Sequence, residues 1–268
     1  MFYEAIDHLC YAPADPQLAL KAVSQIGWNI VPWRGGWALS FGSAKNLFQI
    51  WVQSESTAPP GVLEFGIRVT DLAKVVDQLQ KKGLSAQIIP WRNDQGHPVA
   101  EMAMLSTLKT AGVHLRLIEW KDSTKDRHQA IAGMGGFGNK FPAKRLDHLA
   151  VITHDLVTKS EFWENVLGIP RHGEIRTPSM LIRQYRIGDA IIELLGPVDD
   201  QSPLMKRTPG PAPMMSLEVP DLESSVKSAL AAGFSAPAAA DGVLPMTRTS
   251  TIPFSETGGL NWQLLQYV

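Results

Sequence analysis

Two histidines follow an aspartate inside the same four-residue pattern, Ile6-Asp7-His8-Leu9 and Leu146-Asp147-His148-Leu149. Histidine is the side chain most often used both to move protons near neutral pH and to hold a metal, so the paired motifs mark where to search for chemistry. The competing role is structural, with each imidazole hydrogen-bonded in a half-buried strand and Asp7 and Asp147 fixing that strand. Cys10 is the only cysteine, which excludes an internal disulfide and a thiolate-rich zinc or iron-sulfur site. Any metal must therefore use histidine, carboxylate and amide ligands. Cys10 shares strand parity with His8 and lies about 6 to 7 Å along the strand, within range of a nucleophile reading. A small buried hydrophobe is the commoner role for such a thiol.

The elements that position these residues also repeat. Residues 4 to 12 read as a strand, Asp15 as a helix cap and Pro16 as the first helical residue, and Leu18, Leu20, Ala22, Val23 and Ile26 recur at helical spacing until Gly27. Short strands broken at Gly35-Gly36 and Gly42-Ser43 follow, completing a βαβββ unit. After the linker around Pro59-Pro60 a second unit begins, with Glu64 to Val69 as strand and Asp71 capping a helix over Leu72, Val75, Val76 and Leu79. The scheme restarts at Arg145, with a helix over 156 to 167 and strands near 172 to 176, 179 to 187 and 189 to 196. Val69-Thr70-Asp71-Leu72 and Val219-Pro220-Asp221-Leu222 are offset by the same interval as the helix-stopping Gly83 and Gly233, which fixes the register of the repeat. The predicted layout is two tandem domains, 1–120 and 144–268, joined by a connector, 121–143. The connector's Gly133-Met134-Gly135-Gly136-Phe137-Gly138 suits a mobile link better than a phosphate-cradling loop, which would need a strand before it and a helix after it.

The 268 residues, 44% hydrophobic and 19% charged, are enough to build two cores, and a formal net charge of −1 gives no electrostatic reason to expect nucleic acid or an anionic membrane. No apolar run is long enough for a membrane helix and the N-terminus lacks the regions of a signal peptide, so the expectation is a cytoplasmic protein.

Four βαβββ units, with Asp-His-Leu opening each pair and a Val-x-Asp-Leu turn in the second and fourth, resemble the vicinal oxygen chelate superfamily, which includes glyoxalase I, extradiol dioxygenases and bleomycin resistance proteins. The resemblance implies an α+β fold in which each pair of units forms a curved mixed sheet around a cup, with inward residues of four strands holding a divalent metal. In the first half the matching positions are His8, Gln49, Glu64 and Arg116. A guanidinium cannot ligate, so these residues imply an ion pair of Glu64 with Arg116 and a polar ligand pocket, with Trp51 and Arg68 as further walls. In the second half the positions are His148, Glu193, Met214 and Gln263. His148, Glu193 and Gln263 fit a divalent metal, whereas Met214 is a poor ligand for the ions this family uses.

The absent second histidine and final glutamate disfavour extradiol dioxygenase chemistry. The first expectation is thus a glyoxalase-like lyase or isomerase acting on a small molecule with neighbouring oxygens, with a divalent metal in the second cup and Glu218 moving the proton. The second is a metal-free binding or resistance protein. Each half could close its own cup or share one in a homodimer.

Overall fold

In a computed structural model, which describes residues 2–33, 35–93 and 95–268, the chain forms two eight-stranded sheets. The first holds β1 (Tyr3–Ala12), β2 (Ile30–Trp33), β3 (Gly36–Phe41), β4 (Phe48–Val52), β5 (Gly61–Val69), β6 (Ile88–Arg92), β7 (Pro98–Leu105) and β8 (His114–Trp120). Its strand order is β2-β3-β4-β1-β5-β8-β7-β6. The second holds β9 (Arg145–Ile152), β10 (Arg171–Arg176), β11 (Met180–Ile187), β12 (Ala190–Pro197), β13 (Gly210–Glu218), β14 (Ala240–Asp241), β15 (Thr247–Ile252) and β16 (Asn261–Tyr267), in the corresponding order. The α+β class and the four βαβββ units predicted from the repeat are those observed.

Local chemistry explains the helices. Asp15, Asp71, Asp155 and Asp221 each accept a backbone N–H of the first turn that follows, the standard remedy for the unpaired donors at a helix start. The helices are α1 (Pro16–Ile26), α2 (Leu72–Lys81), α4 (Leu156–Glu161) and α5 (Leu222–Ala231), and α4 continues as a π-helical turn over Phe162–Leu167. Each lays its apolar residues inward: Leu72, Val75, Val76 and Leu79 of α2 are buried, as are Leu222, Val226 and Ala229 of α5. A short helix, α6 (Phe254–Thr257), was not legible in the sequence.

The connector departs from expectation. Thr124–Gly133 is a helix, α3, whose Arg127 and Ile131 are buried, and Phe137 stacks on His128 with ring centroids 4.3 Å apart. Phe141 is 3% exposed and meets Trp28 edge-on at 6.0 Å. These three apolar side chains, spread among glycines and charges, supply the burial that the local composition conceals. The segment is a packed element of the fold and not a free link.

The chain divides into two compact bodies that interleave the halves. One comprises residues 1–8, 64–126 and 150–212, the second and third βαβββ units with the start of β1; the other comprises 9–63, 127–149 and 213–268.

Candidate functional sites

Each Asp-His motif is built the same way up to the imidazole. In the second half, Asp147 Oδ2 lies 2.8 Å from His148 Nδ1, while the Tyr267 hydroxyl donates to Asp147 Oδ1 at 2.8 Å. In the first half, Asp7 Oδ2 lies 3.0 Å from His8 Nδ1, and the Trp120 indole N–H donates to Asp7 Oδ1 at 3.0 Å. An aromatic donor at the end of the last strand thus clamps the aspartate of the first strand, which in turn fixes the imidazole. Asp7 and Asp147 are 0% and 1% exposed, so an acid without these donors would be a buried, unpaired charge. This clamp is the physical content of the repeated motif.

Beyond the ring the halves part. The position after which they differ is Gly66 on β5, paired in parallel register with Arg116 on β8, and its counterpart Ser216 on β13, paired with Gln263 on β16. His8 lies against Gly66 so closely that a Cβ there would sit 2.1 to 2.6 Å from three ring atoms. The ring reaches past the glycine to Glu64, with Nε2 3.1 Å from Oε1, and Arg116 Nη2 donates to Glu64 Oε2 at 2.8 Å. Both nitrogens of His8 therefore face carboxylate oxygens, Nδ1 that of Asp7 and Nε2 that of Glu64. Burial raises the Glu64 pKa, but the His8 hydrogen bond and the charges of His8 and Arg116 outweigh it and hold the carboxyl below its ordinary value.

In the second half Ser216 carries the Cβ that Gly66 lacks, and its hydroxyl lies 2.7 Å from His148 Nε2. The same hydroxyl donates to Gln263 Oε1. His148 Nε2, Ser216 Oγ and Gln263 Oε1 thus converge, with Nδ1 already committed to Asp147. Met214, the matching position set aside as a poor ligand, lies two residues earlier on β13 and pairs with Asn261, and it is Ser216 that stands beside Gln263. Sequence reasoning missed it because Met214 and Ser216 share strand parity, and only the parallel register with β16 distinguishes them. Asp147 is buried, which raises its pKa, yet His148, Tyr267 and Arg145 together hold it below the ordinary range. The phenol of Tyr267 is pushed up to about 12 by burial and by Asp147. Tyr267→Phe removes the donor to a buried carboxylate and is expected to cost about 1 to 3 kcal/mol in urea denaturation.

The remaining expected residues fall as follows. Glu218 has both oxygens engaged, Oε2 by Arg145 Nη2 at 2.6 Å and Oε1 by Lys144 Nζ at 3.1 Å, and Arg145 Nη2 also reaches Asp147 Oδ1 at 3.2 Å. Glu193, 5% exposed, accepts from Gln184 Nε2 at 2.8 Å, its cross-strand partner on β11. Gln49 donates to Ser40 Oγ at 3.1 Å and its Oε1 faces Arg127 Nη2 at 3.5 Å and the Trp51 indole N–H at 3.4 Å. Trp51 stacks on Trp33 at 4.6 Å. Arg68 pairs with Glu4, Nε to Oε2 at 3.0 Å. In the first half each candidate oxygen ligand therefore faces a guanidinium already, Gln49 that of Arg127 and Glu64 that of Arg116. Cys10 is buried, and among the described residues no three His, Cys, Asp or Glu side chains form a ready metal cluster.

Residues 147–244 match the model of the glyoxalase/bleomycin resistance protein/dioxygenase superfamily, a span that begins at Asp147 and takes in His148, Glu193 and Ser216. No curated protein matches the sequence. Among solved structures, the chain resembles a mutant of 4-hydroxymandelate synthase from Streptomyces coelicolor at 16% identity, with 100% of this chain and 93% of that one covered and a TM-score of 0.69. It also resembles 2,2',3-trihydroxybiphenyl 1,2-dioxygenase from Sphingomonas wittichii at 15% identity, covering 98% and 90% with a TM-score of 0.66. A 2,3-dioxygenase from a Pseudomonas species shares 14% identity, covering 99% and 93%, also at 0.66. These similarities show a common two-domain fold.

Proposed function

We propose that this chain, a two-domain member of the vicinal oxygen chelate superfamily, is an enzyme acting on a small molecule with neighbouring oxygens at the second-half histidine site. The observation that carries the reading is the convergence of His148 Nε2 and Gln263 Oε1 on Ser216, with the other imidazole nitrogen fixed by Asp147. An imidazole held by a buried carboxylate and facing an amide oxygen is a donor set suited to a divalent cation, and such outer partners orient the ring. His148 and Gln263 would hold the ion, which when bound would polarise the substrate's oxygens.

The chain's own residues supply the rest. Asp147, hydrogen-bonded to Nδ1, orients the ring so that Nε2 faces Ser216 and Gln263, and Tyr267 and Arg145 hold Asp147 ionised. Glu218 acts through Arg145 on this clamp as a positioning residue, since both its oxygens are engaged. The finer assignment is a lyase or isomerase of glyoxalase type. It rests on the ligand set, with Met214 and Gln263 at the positions where the resemblance gives extradiol dioxygenases histidine and glutamate.

A second reading, metal-free binding, draws on the first half, where Arg116 and Arg127 already supply the cations facing Glu64 and Gln49. Metal analysis separates the two. Protein purified without chelator or nickel affinity resin is expected to hold one divalent ion per chain, and His148→Ala to lose it. Wild type without stoichiometric metal would sink the enzyme reading and leave binding.

A further inference from the structure

A cleft of about 590 Å³ lies between α1 and the connector. Its walls include Leu20, Val23 and Ser24 of α1, Trp28 and Ile30 at the entry to β2, and Lys140 of the connector. All of these residues belong to one of the two compact bodies, and none of the residues matching either cup lines the cleft. The connector occurs once in the chain, so the repeat does not predict this feature.

Lys140 gives the cleft its chemistry. Its backbone N–H donates to Gly27 O at 2.9 Å, and its stem crosses Gly27 so closely that a Cβ there would sit 2.9 Å from Lys140 Cβ and 3.3 Å from Cδ. Gly27 closes α1 at φ +82°, a conformation that itself favours glycine. At the corresponding helix stop, Gly168, a lysine also stands close by, but Lys82 Nζ there donates to Val166 O at 3.0 Å. Here the carbonyls of Ser24 and Val23 are already answered by the backbone N–H groups of Gly27 and Trp28. The exposed Lys140 ammonium has no ion-pair or hydrogen-bond partner among the described residues, and no acidic side chain lines the cleft.

We propose that this cleft binds a short aliphatic carboxylate, its chain against Leu20, Val23 and Ile30 and its head on the Lys140 ammonium, with the Ser24 hydroxyl as a second donor. A cation that no acid neutralises selects an anion, and the branched aliphatic walls select an alkyl body. The volume is that of a small-molecule site. The site is independent of the His148 reading and needs no metal.

Calorimetric titration of the full-length, chelator-treated protein with hexanoate, in parallel with hexanamide, tests this. Hexanoate is expected to bind saturably at one site per chain, and hexanamide about fivefold more weakly, the effect of losing a half-exposed ion pair. Added sodium chloride should weaken hexanoate and leave hexanamide unchanged. Lys140→Gln should cost hexanoate about fivefold, and Ile30→Glu, which sets a carboxylate at the rim, roughly tenfold. Both positions are exposed, and either variant carries the test alone if circular dichroism shows the other to be misfolded. Equal binding of hexanamide, an absence of saturable heat, or unchanged affinity in a folded variant would overturn the proposal. So would hexanoate binding that appears only when a divalent ion is restored, since that ligand would belong to the His148 site. A finding that the protein holds no metal would remove the enzyme reading and leave this site untouched.

Discussion

Gly66→Ala is expected to destabilise the protein by about 3 kcal/mol or more, combining overpacking with disruption of a buried ion pair. The added Cβ would lie 2.1 Å from His8 Cε1 and 2.2 Å from Nδ1. His8 is 0% exposed and pinned at both nitrogens, so its ring cannot swing aside without leaving Asp7, Glu64 or both. Ser216→Ala, at the corresponding position of the second half, removes one hydroxyl and leaves a Cβ already accommodated. Its expected cost is about 1 to 2 kcal/mol. Urea denaturation of the two variants checks the contrast, and equal midpoints would show that the glycine notch is not what seats His8.

Glu64→Gln is expected to cost about 3 kcal/mol at neutral pH, because it removes a buried charge that answers both His8 and Arg116. The pH dependence has a definite sign. The Glu64 carboxyl titrates below its ordinary value of 4.5 in the folded protein, so the folded state binds its proton less readily than the unfolded chain. The stability this contributes is complete above 4.5 and is lost as pH falls through the lowered folded value. The gap between wild type and Glu64→Gln should therefore be widest near neutrality and close as acid protonates Glu64. Stability curves measured from pH 7 down to pH 3 would show this, and a constant gap would mean that the loss comes from packing rather than charge.

Several features were legible without coordinates. The repeated Asp-His-Leu motif and the equal offsets of Val-x-Asp-Leu and glycine determined four βαβββ units, because capping and periodicity are local and each copy restates them. The pairing of Glu64 with Arg116 was legible too, since a guanidinium at a ligand position leaves a carboxylate one simple partner. The docking of the connector was not, as Ile131, Phe137 and Phe141 are too sparse among glycines and charges to show a helical face.

The chemistry of the two histidines divides along the same line. Sequence by itself determined that His8 and His148 occupy equivalent strand positions beside an acid, and that their surroundings differ. Only the tertiary structure decided what each ring does, because that depends on the atom opposite it across parallel strands, β5 with β8 and β13 with β16, joined only after long crossovers. A missing Cβ at Gly66 lets His8 lie down toward Glu64 and spend both nitrogens on carboxylates. The Ser216 side chain, in register with Gln263, holds His148 where its second nitrogen faces a hydroxyl and an amide.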